Sequence, residues 1–220
     1  MKKKLKLITP LVGGMLLIVL IPVQASAVAA QTPVSAITEV VVSTSQLTVG
    51  AIDNKVAAKA GNHVRVENGY KVLYDGATGA ELARVAIGSG GSPNGGTISP
   101  YNTVTGNCGT SYIYLQNLNN LQYQFSTGFD LTAGSAYDFD WSISVTASWT
   151  FPSSGGYGFH WSDSGPMWPG QHWTSGWIHE TTPAPSGTYH IAEITSGTAY
   201  RTDGAVCYAG PATAAAYIWY

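Results

Sequence analysis

Tryptophan and histidine side chains are concentrated between residues 157 and 180, where four of the seven tryptophans and three of the five histidines occur. Glycine and proline separate these side chains, a composition typical of surface loops. An exposed indole presents a flat apolar face on which sugar rings can stack, and exposed apolar patches commonly mark contact sites. The sequence therefore predicts a ligand site formed by Trp161 and Trp168 together with Tyr157 and His160.

The other two tryptophans of this segment are expected to be structural. Trp173 and Trp177 fall four residues apart on a predicted strand and so share one face, which favours a place in the core. His172 and His179 are seven positions apart and point to opposite faces of such a strand. Because a tetrahedral metal site needs three or four converging ligands, no metal or cofactor is predicted.

Two arrangements of side chains would suit a hydrolase. His160 and Asp163 supply an imidazole and a carboxylate close together in the sequence. Asp138 and Asp140 share one face of a predicted strand at ~7 Å, a spacing suitable for the paired carboxylates of an inverting glycosidase. Aspartates at adjacent positions on a solvent face are also common as solubilising residues. The sequence thus favours a non-catalytic protein and keeps a secreted hydrolase as an alternative.

These side chains need a scaffold, and the clearest element is the segment 137–151, where apolar and polar residues alternate without interruption. Alternation with period two predicts a β-strand between an apolar interior and solvent. Its apolar face consists of Tyr137, Phe139, Trp141, Ile143, Val145, Ala147, Trp149 and Phe151. Aromatic residues at both ends of an apolar strand face also occur in membrane barrels. A membrane-inserting β-barrel or pore-forming protein, with this face turned outward, is therefore a second alternative.

The predicted fold class is all-β, an antiparallel β-sandwich or jelly-roll-like domain with a smaller N-terminal segment. Residues 101–220 contain about seven or eight short strand patterns, with turn signals between them and no helical periodicity. Cys108 and Cys207 are the only two cysteines. In an exported chain such a pair is expected to form one disulfide, which would close this domain.

The start of the chain has the pattern of a secretory signal peptide, predicted over residues 1–27. Lysines at its start precede an apolar stretch, and Ala25-Ser26-Ala27 supplies the small residues of a cleavage site. Residues 28–87 are predicted to be an N-terminal segment or pro-region. Residues 88–100 are predicted to be a Gly/Ser-rich linker because they carry almost no apolar side chain to bury. The expected location is secreted or extracellular.

The net charge of the chain excludes some classes of binding partner. After signal cleavage six basic residues remain against twelve acidic ones, a net charge of −6, which repels phosphate backbones and excludes nucleic acid. The apolar run at the N-terminus is shorter than the ~20 residues of a membrane helix, so no stable membrane span is expected after cleavage. Charged residues make up only 10% of the chain. This composition favours a binding or structural role at the cell envelope or outside the cell, with a glycan or cell-wall polymer as the expected ligand.

Overall fold

The computed structural model describes residues 40–88 and 107–220. The predicted signal peptide and most of the predicted linker lie outside the described residues. Within them the chain forms one short helix and thirteen strands. The elements are β1 (Val40–Ile52), α1 (Asn54–Lys59), β2 (His63–Glu67), β3 (Tyr70–Tyr74), β4 (Glu81–Ala86), β5 (Asn107–Asn119), β6 (Gln122–Leu131), β7 (Ala136–Trp149), β8 (Gly155–Gly170), β9 (His172–Thr174), β10 (Ile178–Thr181), β11 (Thr188–Arg201), β12 (Ala205–Ala209) and β13 (Thr213–Ile218).

Ten of these strands form one antiparallel sheet in the order β10-β6-β5-β1-β12-β11-β7-β8, with β9 also pairing β6 and β13 also pairing β11. The sheet curls into a nearly closed, barrel-like form, and β2, β3 and β4 form a small second sheet. The predicted all-β, antiparallel fold is therefore confirmed.

The large sheet has two opposed sides. Rings on β6 pack against rings on the two strands at the other end of the sheet order: Phe129 lies 5.6 Å from Trp141 of β7, measured between ring centroids. Phe125 lies 6.2 Å from Trp161 of β8. We call β1, β5, β6, β9 and β10 the β6 side, and β7, β8, β11, β12 and β13 the β7 side. The two sides share one core, across which β6 faces β7 and β8.

The long alternating segment forms β7, and its apolar face points inward. Phe139, Trp141, Ile143 and Val145 are all buried in the core. The Trp141 Nε1–H donates a hydrogen bond of 2.9 Å to Thr127 Oγ1, so the buried indole nitrogen is paired. This inward orientation is the opposite of the one that the membrane-inserting alternative requires. The strand ends at Trp149, two residues before the predicted end.

The N-terminal segment is part of the large sheet. Strand β1 pairs with β5 on one side and β12 on the other, so a strand from residues 28–87 lies inside the sheet that was assigned to residues 101–220 alone. Helix α1 follows directly, and Asp53 caps it by accepting hydrogen bonds from the backbone N–H groups of Lys55 and Val56. Removal of residues 28–87 as a pro-segment would therefore take a central strand out of the sheet.

The predicted disulfide is confirmed. Cys108 on β5 and Cys207 on β12 are bonded and fully buried. Both strands are neighbours of β1, so the bond joins the two strands that flank it. A disulfide is consistent with an extracellular protein.

Candidate functional site

The segment that was expected to form aromatic loops instead contains a long strand. Residues Gly155–Gly170 form β8, which pairs with β7 along almost its whole length. Among the described strands β8 is the last of the sheet order, and prolines such as Pro166 and Pro169 are tolerated on edge strands because an N–H on the outer side makes no ladder hydrogen bond. The loop interpretation of residues 157–180 is therefore wrong for residues 157–170.

Two of the four predicted site residues point into the protein. Trp161 packs against the buried ring of Phe125, and the hydroxyl of Tyr157 lies 2.9 Å from that of Tyr123. Burial raises the pKa of both tyrosines, and the hydrogen bond between them raises that of Tyr123 further. These contacts make Trp161 and Tyr157 part of the wall of the core.

The other two predicted residues point to solvent. His160 is exposed on the outer face of β8, opposite Ser144 of β7. Trp168 is 92% exposed and makes no ring contact with the part of the chain that the structure describes. Strand alternation therefore divides the four predicted residues between two faces, and the structure does not bring them together.

A different set of side chains converges on the outer surface of the β6 side. We call it the Trp177 site, and it consists of Tyr114, Gln116, Gln124, Trp177 and His179. Tyr114 and Gln116 point outward from β5 because their neighbours Ile113 and Leu115 are fully buried on the inner face. Gln124 of β6 pairs with Gln116 on one side and with His179 of β10 on the other.

The indole of Trp177 completes this site. It is 47% exposed, and its ring centroid lies 6.1 Å from that of Tyr114 at an interplanar angle of 64°. The break between β9 and β10 places it there. Ser175 donates its backbone N–H to Thr127 O at 2.9 Å, and Gly176 adopts φ +69°, a conformation that favours glycine.

This break explains why Trp177 was assigned to the core. Trp173 is half-buried and packs against the core, with its ring centroid 4.2 Å from that of Phe139. Four residues on, Trp177 would share that face if the strand were continuous, but the turn at Ser175 and Gly176 resets the alternation. The Ser-Gly pair between the two tryptophans was the one sequence signal for this change.

The polar groups of the Trp177 site are uncharged amides beside an imidazole. Gln124 Nε2 donates a hydrogen bond to Gln116 Oε1. Among the described residues, the Gln116 N–H₂ group and the Gln124 carbonyl are not used in this bond and can serve a further partner. An open pocket of about 340 Å³ adjoins His179 and is lined by Leu118, Gln122, His179, Glu180 and Thr181. The arrangement can stack a ring and orient hydroxyl groups, and it contains no nucleophile paired with a base.

The structure places the two candidate catalytic pairs differently. His160 and Asp163 lie three positions apart on β8, so alternation directs them to opposite faces. Asp163 Oδ1 accepts a hydrogen bond from the backbone N–H of Ser164. Asp138 and Asp140 share the solvent face of β7, opposite Tyr200 and Thr198 of β11. Burial, and then the two aspartates, raise the pKa of Tyr200.

Within residues 40–88 and 107–220, no group of three or more His, Cys, Asp or Glu side chains could hold a metal ion. In the same residues, no helix has the length and apolar character needed to cross a membrane. Comparison of the chain with protein-family models, with curated proteins and with solved structures finds no match.

Proposed function

We propose that this chain is a secreted, non-catalytic protein that binds a neutral glycan or cell-wall polymer through the Trp177 site. The observation that carries the proposal is the half-exposed indole of Trp177 beside Tyr114, next to a hydrogen-bonded pair of glutamine side chains. Aromatic faces suit the apolar C–H faces of sugar rings, and amides suit their hydroxyl groups.

The chemistry around the site supports a neutral ligand. Its five side chains include no carboxylate, ammonium or guanidinium group, and the remaining chain after signal cleavage has a net charge of −6. A strongly anionic polymer would be repelled by that charge. Four of the five side chains lie on the paired strands β5, β6 and β10, which hold them in place better than loops would, and Trp177 directly precedes β10.

Secretion has separate support. The N-terminal lysines, apolar stretch and Ala25-Ser26-Ala27 have the order of a signal peptide. A buried disulfide in the folded chain is consistent with an oxidising compartment.

The test is a binding screen of the full-length protein, purified from culture medium, against insoluble and soluble neutral polysaccharides. Trp177→Ala should weaken binding about tenfold or more, because it removes the exposed indole of the site. A tenfold change in affinity corresponds to about 1.4 kcal/mol of binding free energy. Gln124→Leu should weaken it by a smaller factor. Trp168→Ala is the matched control, since it removes an equally large exposed ring on the other side of the sheet.

The control also tests the site that the sequence predicted. Loss of binding in Trp168→Ala with full binding in Trp177→Ala would return the site to the outer face of β8. Absence of binding by the unmodified protein to every polysaccharide in the screen would contradict the proposed function itself.

A further inference from the structure

A second row of exposed rings lies on the β7 side, away from the Trp177 site. Tyr189 of β11 and Tyr217 of β13 are cross-strand partners, and Trp219 follows two residues after Tyr217. The three side chains are 46%, 55% and 50% exposed. The tyrosine ring centroids are 5.0 Å apart, and those of Tyr217 and Trp219 are 6.0 Å apart. We call these three residues the Tyr217 row.

The Tyr217 row is held in place although it is close to the C-terminus. Trp219 donates its backbone N–H to Asn117 Oδ1 at 3.3 Å, and its carbonyl accepts from the N–H of Leu121 at 2.9 Å. Its indole also lies over Gly187, where a Cβ atom would come within 2.5 Å of the ring. The glycine thus permits the close approach, and the row is a preorganised surface that needs little ordering when a ligand binds.

The surroundings of the row resemble those of the Trp177 site in being mostly uncharged. On the same face, Ile191 pairs with Ala215 of β13 and with Thr146 of β7. The acid on this face of β11 is Glu193, four positions from Tyr189, at a spacing of ~13 Å along an extended strand. Rigid rings beside apolar and hydroxyl-bearing side chains favour an uncharged polyhydroxylated ligand, the class proposed for the Trp177 site.

The two surfaces face in opposite directions. The Trp177 site lies on the outer surface of β5, β6 and β10, and the Tyr217 row lies on the outer surface of β11 and β13. Between them, the inner ring of Tyr123 on β6 packs against the inner ring of His190 on β11, with 5.7 Å between the ring centroids. One straight segment of polymer therefore cannot contact both surfaces at once.

We propose that the Tyr217 row is a second binding site for the same neutral polysaccharide, so that one molecule bridges two polymer chains. This inference rests on the proposed function. Two sites on opposite sides make the protein a cross-linker, because each polymer chain carries many repeats and each protein occupies two of them.

The first measurement is the binding stoichiometry of a short oligosaccharide of the polymer identified in the screen, by titration calorimetry. The unmodified protein should bind two oligosaccharides per chain. Trp177→Ala and the double variant Tyr189→Ala/Tyr217→Ala should each bind one, with Trp168→Ala unchanged. Trp219→Ala is a second variant for the row, in case the double variant does not fold, and near-UV circular dichroism checks folding.

The second measurement is light scattering of the soluble polysaccharide as protein is added. Scattering should rise with the unmodified protein and with Trp168→Ala. It should stay at the level of the polymer alone with Trp177→Ala and with the row variants. Sedimentation of the protein without ligand should show a monomer, because a dimer with one site per chain would also cross-link.

The outcomes separate the two proposals. Binding by the unmodified protein at one oligosaccharide per chain, or unchanged cross-linking by Tyr189→Ala/Tyr217→Ala, would overturn the second site and leave the first intact. A dimer in sedimentation would equally overturn bridging by a single molecule. Absence of any binding would instead overturn the proposed function.

Discussion

Strands β7 and β8 are neighbours with the same alternating pattern, yet their aromatic side chains have different environments. Trp141 on β7 is completely buried, Trp161 on the inner face of β8 is half-buried, and Trp168 on β8 is almost fully exposed. Within the described residues, β7 pairs with β8 and β11, whereas β8 pairs with β7 alone. Alternation therefore decides which face a side chain occupies, and the position of the strand in the sheet decides how deeply it is buried.

The compositions of the two strands agree with these positions. The middle of β7 carries the β-branched residues Ile143, Val145 and Thr146, which pack well between two neighbouring strands. Strand β8 carries glycines and two prolines, which weaken a central strand but limit the pairing of an open edge with other chains. Glycine and proline in this segment thus indicated an edge strand, although they were interpreted as loop residues.

Among the variants that test this comparison, the largest loss of stability is expected for a substitution of Trp141. Trp141→Ala should lower the free energy of unfolding by about 3–5 kcal/mol, because it removes a buried indole and leaves a cavity beside Phe129 and Trp173. It also leaves the Thr127 hydroxyl without this partner. Equilibrium unfolding in urea measures the change. Trp161→Ala is the matched variant on β8, and an equal loss there would contradict the difference between the two strands.

A second, pH-dependent effect on stability is expected at His190 of β11, which packs against the start of β8. His190 is fully buried, with its ring centroid 5.7 Å from that of Tyr123 and 5.9 Å from that of Tyr157 of β8. Its Nδ1–H donates to Thr188 O at 3.0 Å, and its Nε2 accepts from Thr182 Oγ1 at 2.9 Å. Burial lowers the pKa of His190, so the folded protein holds this ring neutral.

The imidazole of His190 is protonated more readily in the unfolded chain than in the folded chain. The neutral His190 imidazole therefore contributes fully to the free energy of unfolding above the ordinary histidine pKa of about 6.5. This contribution is lost as the pH falls from there towards the lowered pKa of His190 in the folded protein. The free energy of unfolding should decrease between pH 7 and pH 5, measured by urea unfolding at each pH. His190→Gln should show a smaller decrease, and an identical pH profile in that variant would contradict this role.

The smallest effect is expected at Trp168. Trp168→Ala should change the free energy of unfolding by less than about 0.5 kcal/mol, because the side chain is exposed and makes no ring contact with the described residues. The same urea titrations measure it. A loss comparable to that of Trp161→Ala would show that the outer face of β8 is covered in solution, which would remove the contrast between its two faces.

Local patterns in the sequence predicted the main element of the fold. The alternation through residues 139–147 was sufficient to place the interior face of β7, and a single pair of cysteines left no other connectivity for the disulfide. Strand β1 could not be assigned in the same way. Its place between β5 and β12 depends on partners about 65 and 160 residues further along the chain, and no local pattern specifies which distant strands will pair.

The sequence alone determined the β character of the chain, the inward face of its longest alternating strand and the pairing of its two cysteines, because period-two alternation and residue identity are local properties. Tertiary structure decided which aromatic rings face solvent. Tyr114 and Trp177 meet only because β5, β6 and β10 lie side by side, and Tyr189 meets Tyr217 only because β11 pairs with β13. Those contacts join distant segments, so they follow from the order of strands in the sheet.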